Sequence, residues 1–194
     1  MAASLRGLLR HPDVREVTMI QGPMGLMALH GGIEPPTYAI ARQVAAATDA
    51  SLYAVVQSEA RNNDGHLTST LYSRSESRLL DAFLDRVVVA VSVHGMNRRG
   101  MNDKIALGGG NRQLAARIGS VLRAAGFDAI DDLEDIPTYL RGTHPDNPVN
   151  LPRDRGVQME IGRELRRDQR LMEDLTEVLA VATRNLMAEL CVGR

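Results

Sequence analysis

Hydrophobic positions along this chain follow two different periods. The runs "VREVTMI", "GLMALH", "SLYAVVQ", "RVVVAVSVH" and "GVQMEI" are short, apolar and rich in β-branched residues, and they read as strands. "RVVVAVSVH" is the clearest, because unbroken apolar character suits a central strand buried on both faces. Helical spacing takes over in "PPTYAIARQVAAATDA", where the prolines fit a first turn that needs no N–H. It returns in "SESRLLDAFLD", through Leu79, Leu80, Phe83 and Leu84, with Ser75 or Ser77 as cap. "NRQLAARIGSVLRAAG" is amphipathic and ends at Gly126, a suitable C-terminal glycine. "RELRRDQRLMEDLTEVLAVATRNLMAEL" closes the chain as one long helix. "GMNRRGMNDKIALGGG" reads as a glycine-rich loop around a short strand. "PTYLRGTHPDNPVNLPRDRG" has neither period and is expected to be a long functional loop. The alternation predicts a single α/β domain over residues 1–194, with a mixed, mostly parallel sheet flanked by helices.

Composition narrows the function classes. The 194 residues are 44% hydrophobic, enough for a real core, and carry 23 basic and 24 acidic groups for a net charge of −1. That balance supplies no field for nucleic acid or an anionic membrane, and 3% aromatic residues is poor for base stacking. Lys104 is the one lysine among the basic residues. A single cysteine, Cys191, has no internal disulfide partner, which points to a reducing compartment. Arg6, Arg10, Asp13 and Arg15 interrupt the first twenty residues, so no signal peptide is expected, and no apolar run is long enough for a membrane span. The expectation is a protein that is cytoplasmic where it is made.

Chemistry concentrates at strand ends. His30 closes "GLMALH" and His94 closes "RVVVAVSVH", and each is followed by glycine. In open α/β sheets ligands gather at the carboxyl ends of strands. Pro35 and Pro36 argue against His30 and Glu34 sharing a helical face, whereas Gly31 and Gly32 permit a tight turn, including φ > 0, that aims both at one point. Two imidazoles and a carboxylate match a catalytic zinc site with three protein ligands and one open position. The same spacing also describes two ordinary strand-end histidines beside a helix-capping glutamate. Glu160 lies inside the apolar "GVQMEI". It is either a general base passing a proton from the attacking water to a leaving amine, or a residue on the exposed side of an edge strand or paired with an arginine.

The blocks "HGGIEPPTYAIA", "VVVAVSVHGM", "LGGGNRQLAARIGSVLRAAGF" and "NPVN…RGVQMEIGRELR", in order from about Gly25 to Arg167, resemble the poly-γ-glutamate hydrolase family of phage and bacterial enzymes. The resemblance implies a zinc-carboxypeptidase-like fold (phosphorylase/hydrolase-like) and one Zn²⁺. It implies His30, Glu34 and His94 as zinc ligands and Glu160 as the catalytic glutamate. Two departures stand out. The first turn is one residue shorter than the family's, with Pro36 in place of glycine, and "LYSRSESR" replaces Phe-Asp-Glu-Pro after "TST".

Other residues carry two readings each. Asn111 and Arg112 offer a fork for a substrate carboxylate, or a surface arginine. His66 lines the site or is a solvated loop residue, and His11 and His144 read as solvated. Met24, Met27, Met96 and Met101 read as core or pocket filler. "GGGNRQ" lacks the lysine and hydroxyl of a phosphate-binding loop. The expected function is a zinc-dependent hydrolase of γ-glutamyl amide bonds, a depolymerase of poly-γ-glutamate capsule that acts outside the cell after phage lysis. A zinc-dependent N-acyl-amino-acid deacylase and a non-catalytic metal- or polymer-binding protein are the alternatives. Glu160 discriminates, since a binding module needs no buried base.

Overall fold

The computed structural model describes residues 4–57 and 66–192, and side chains as far as Leu190; Cys191 is outside the described side chains. Strands are β1 (Val14–Met19), β2 (Met24–Ala28), β3 (Ser51–Gln57), β4 (Val89–Met96), β5 (Lys104–Leu107), β6 (Asp128–Ile130) and β7 (Gly156–Gly162). Helices are α1 (Leu5–Leu8), α2 (Thr37–Thr48), α3 (Arg78–Arg86), α4 (Arg112–Ala124), α5 (Arg163–Arg167) and α6 (Gln169–Val192). The sheet runs β1-β3-β2-β4-β7-β5-β6. Its centre, β3-β2-β4-β7, is parallel, while β1 and the β5–β6 pair run the other way.

Strand periodicity sorts the core into two layers. On one face, Leu26, Val91, Val93, Val157, Met159 and Ile161 pack against Ile40 and Val44 of α2, Leu114 and Ile118 of α4, and Met172, Leu175 and Leu179 of α6. On the other, Met27, Leu29, Tyr53 and Val55 meet Leu5 and Leu8 of α1 and Phe83 and Leu84 of α3. Met96 and Met101 fill a third small cluster. The second face of the sheet's centre carries a polar row. Ser92 and His94 on β4 stand beside Gln158 and Glu160 on β7, in register, and all four are buried.

Several expected elements shift. "GLMALH" leaves the sheet at Ala28, so His30 sits in the following turn. The closing helix breaks at Asp168, whose extended backbone (φ −93, ψ 110) ends α5. Its carboxylate then accepts the Leu171 N–H at 3.1 Å, capping α6. Ser77 caps α3 by accepting the N–H groups of Leu79 and Leu80, which settles the choice between Ser75 and Ser77. Gly126 adopts φ 90 after α4. Between Pro137 and Gly156 the chain contains only two single-turn 3-10 helices, Thr138–Leu140 and Pro148–Asn150.

Candidate metal centre

The turn after β2 has an unexpected local geometry. The Glu34 N–H donates to the His30 carbonyl at 2.9 Å, one α-type turn that the two prolines then stop. His30 and Glu34 are therefore i,i+4 neighbours after all. Their glycines serve close approach rather than positive φ. A Cβ on Gly32 would lie 1.8 Å from the Gln57 carbonyl oxygen, and one on Gly31 would lie 2.8 Å from Tyr38 Cβ. Gly31 donates to the Val55 carbonyl at 3.0 Å, so the turn is pressed against β3. From the "LYSRSESR" segment, buried Tyr72 donates its hydroxyl to the Leu29 carbonyl at 2.7 Å, directly behind His30.

Three donor groups converge there. His30 Nδ1 lies 3.1 Å from Glu34 Oε1 and 3.2 Å from His94 Nδ1. His94 Nδ1 lies 3.5 Å from Glu34 Oε2. At zinc–ligand lengths of about 2.0–2.1 Å, a tetrahedron has edges of about 3.3–3.4 Å, and the three separations fall near that length, with Glu34 meeting His30 through Oε1 and His94 through Oε2. Their outer contacts fit too. His30 Nε2 donates to the Leu67 carbonyl at 2.9 Å, which leaves Nδ1 of the neutral ring as a bare lone pair facing the cluster. His94 Nε2 bonds Ser92 Oγ at 2.8 Å, and Glu34 Oε2 accepts the Gly95 N–H at 2.9 Å. A proton on His94 Nδ1 or a cation at the centre would satisfy the groups that face one another there. Burial works against the Glu34 carboxylate, yet the contacts with His30 and His94 hold its pKa well below the ordinary value. For His94, burial favours the neutral ring, but Glu34 and Glu160 raise its pKa. The donor set present fits a divalent metal.

His66 approaches the same point. Its ring centroid is 4.3 Å from that of His30, and His30, Glu34 and His66 also offer ligand atoms within 4.8 Å of one another. Glu160 is 5% exposed, on an interior strand, so it is not on the exposed side of an edge. Its partner is an amide rather than an arginine: Gln158 Nε2 donates to Glu160 Oε1 at 2.8 Å, and Asn147 Nδ2 donates to Gln158 Oε1 at 2.7 Å. Burial raises the pKa of Glu160, with His94 opposing. Gln158 and Asn147 were not singled out from sequence, although the alternation of Ser92 with His94 and of Gln158 with Glu160 marks a polar face.

The structure does not bring Asn111 and Arg112 to this cluster. β5 runs antiparallel to β7, so the loop after it returns to the amino end of β7, where the Asn111 N–H donates to the Gly156 carbonyl at 3.0 Å. Asn111 caps α4 by accepting the Leu114 N–H. The Arg112 guanidinium donates to the carbonyls of Leu107 at 3.0 Å, Gly109 at 3.3 Å and Asp131. Another arginine does reach the cluster, pinning the turn. Arg166 donates to the carbonyls of Pro35 at 2.6 Å, Ile161 at 3.0 Å and Met96 at 3.2 Å, joining the turn to β4 and β7.

An open α/β sheet with an imidazole–carboxylate cluster at its strand ends, beside a second buried carboxylate, is the layout of a metal-dependent hydrolase. The family model of poly-γ-glutamate hydrolase matches residues 8–183, and the chain belongs to that family. It is 31% identical over 157 residues to the SPbeta prophage-derived UPF0714 protein YoqZ of Bacillus subtilis (strain 168). The match covers 80% of this chain and 53% of YoqZ, so the chain spans about half the length of that curated relative. Among solved structures, a bacteriophage poly-γ-glutamate hydrolase superposes with a TM-score of 0.78 at 26% identity, covering 90% of this chain and 89% of the other. A zinc-free apo form of YNDL superposes with a TM-score of 0.77 at 26% identity, covering 89% and 90%. Among the described residues, no helix is long and apolar enough to cross a membrane.

Proposed function

We propose that this chain hydrolyses γ-glutamyl amide bonds of a poly-γ-glutamate chain, using one zinc ion held by His30, Glu34 and His94. The observation that carries the reading is the spacing of the three donor groups, 3.1, 3.2 and 3.5 Å, with both outer ring nitrogens already bonded. A zinc ion there would supply a Lewis acid for the amide carbonyl and acidify the attacking water. Glu160 takes that water's proton and hands it to the departing nitrogen. Gln158, itself held by Asn147, donates to one Glu160 oxygen, leaving the other to the pocket that Glu160 lines. Burial keeps the proton affinity of Glu160 above that of an ordinary carboxylate, as a base near its operating pH needs.

A merely metal-binding protein would have no use for a buried carboxylate in this position, and that favours the enzyme. The test is to load the purified protein with zinc and supply poly-γ-glutamate, following chain length and newly released amino groups. Shortening of the polymer that disappears on chelation and returns with zinc supports the reading. An intact polymer with one zinc bound per chain overturns it.

A further inference from the structure

Among the described residues, two depressions meet at the metal centre, and their chemistry differs. One, of about 880 Å³, is lined by Arg98, Arg163, Arg166 and Arg167, with Glu34 as the one acid among the described lining residues. The other, of about 510 Å³, has hydroxyl groups from Thr68, Ser69, Thr70, Thr138 and Thr143, contains Glu160, and has no arginine among its described lining residues. Glu34, His66 and exposed Tyr139 lie on the boundary, lining both.

Arg166 is held by the three carbonyls it pins, one through each guanidinium nitrogen. The other three are exposed, and among the described residues none is in an ion pair. Arg98 lies over the Tyr139 ring, 5.5 Å from its centroid. Arg163 and Arg167 stand four residues apart on α5, where like charges destabilise a helix. Anions bound between them remove that cost. A γ-linked glutamate chain presents one free α-carboxylate per residue, a row of anions suited to guanidinium forks.

The geometry also fixes a direction. The departing nitrogen must come within hydrogen-bond reach of Glu160, and of these two depressions Glu160 lines the hydroxyl-bearing one. The amine half of the cleaved bond therefore lies in that pocket, and the acyl half extends across Glu34 into the arginine cleft. Resting on the function proposed above, we propose that Arg98, Arg163 and Arg167 are specificity-determining residues that hold the carboxylates on the acyl side of the scissile bond.

The test uses two γ-glutamyl oligomers of equal length, blocked so that each has one cleavable bond, near its amine end in one and near its acyl end in the other. The zinc enzyme is compared with the triple variant Arg98→Gln, Arg163→Gln, Arg167→Gln. Exposed ion pairs of this kind are each worth about 1.5–5-fold, so the variant should lose on the order of tenfold in kcat/KM on the oligomer extended on its acyl side. Its loss on the other oligomer should be under threefold, and added salt should weaken wild-type cleavage of the first oligomer more than that of the second. Equal losses on both oligomers would overturn the assigned direction, and no loss on either would make the arginines a solvated surface. Failure of the wild type to cut either oligomer overturns the underlying function, and with it the direction. A binding titration of the uncut oligomer then tests the arginines alone, with unchanged affinity in the triple variant counting against them.

Discussion

Replacing Glu160 by glutamine separates proton transfer from the other tasks of this side chain. The amide keeps the size of the carboxyl and an oxygen to accept the 2.8 Å bond from Gln158, so the chain of contacts through Asn147 survives. It cannot take a proton. A general base contributes about 10²–10⁴-fold, or about 2.7–5.4 kcal/mol of barrier at 1.36 kcal/mol per tenfold. Folding should not suffer, because burial has already raised the carboxyl pKa above the ordinary 4.5. That shift means the folded state disfavours the ionised form. In zinc-free wild type, this contribution is fully present below 4.5 and declines as pH rises through the higher folded value. The glutamine variant lacks the decline and should melt no lower than wild type at neutral pH. Turnover on poly-γ-glutamate, zinc by elemental analysis and thermal melts at several pH values give the three readouts. Turnover within tenfold of wild type with zinc bound would refute the assignment of the base, and loss of the zinc would make Glu160 a ligand.

Other outcomes follow from the same geometry. Ser92→Ala removes the 2.8 Å contact to His94 Nε2, and zinc affinity by chelator competition should fall about 10–100-fold. Gly32→Ala places a Cβ 1.8 Å from the Gln57 carbonyl. It should cost about 1–3 kcal/mol of stability by denaturant titration and weaken zinc binding, since the turn carrying His30 and Glu34 has to move. Arg112→Ala breaks contacts to three backbone carbonyls, so the melting temperature should drop while KM for a γ-glutamyl oligomer stays within twofold.

The parallel centre of the sheet was legible because β2, β3, β4 and β7 are short, largely apolar runs buried on both faces. The orientation of β5 was not. Four residues, "KIAL", give a strand but no direction, and an antiparallel β5 sends Asn111 and Arg112 to the opposite end of β7. β6 is three residues long, too short to show any period. The break before α6 rests on Asp168 alone, one polar residue in a pattern that otherwise stays helical. His30, Glu34, His94 and Glu160 were readable as strand-end and in-strand polar groups, and the structure brings all four together. The route differs for Glu34, which arrives on a single α-type turn pressed against β3. Arg166 was not readable as the residue that pins this turn, because its acceptors are backbone carbonyls from three separate segments.

The proposed metal chemistry depends most on which imidazole completes the cluster with His30 and Glu34. His94 Nδ1 stands at the tetrahedral spacing, 3.2 Å from His30 Nδ1, whereas His66 shares only the looser grouping within 4.8 Å. Zinc content and affinity of His94→Ala and His66→Ala, measured side by side on folded protein, decide between them. His66→Ala should keep one tightly bound zinc per chain and His94→Ala should lose it. Full zinc occupancy in His94→Ala together with an empty His66→Ala would contradict the assignment of His94 as a ligand.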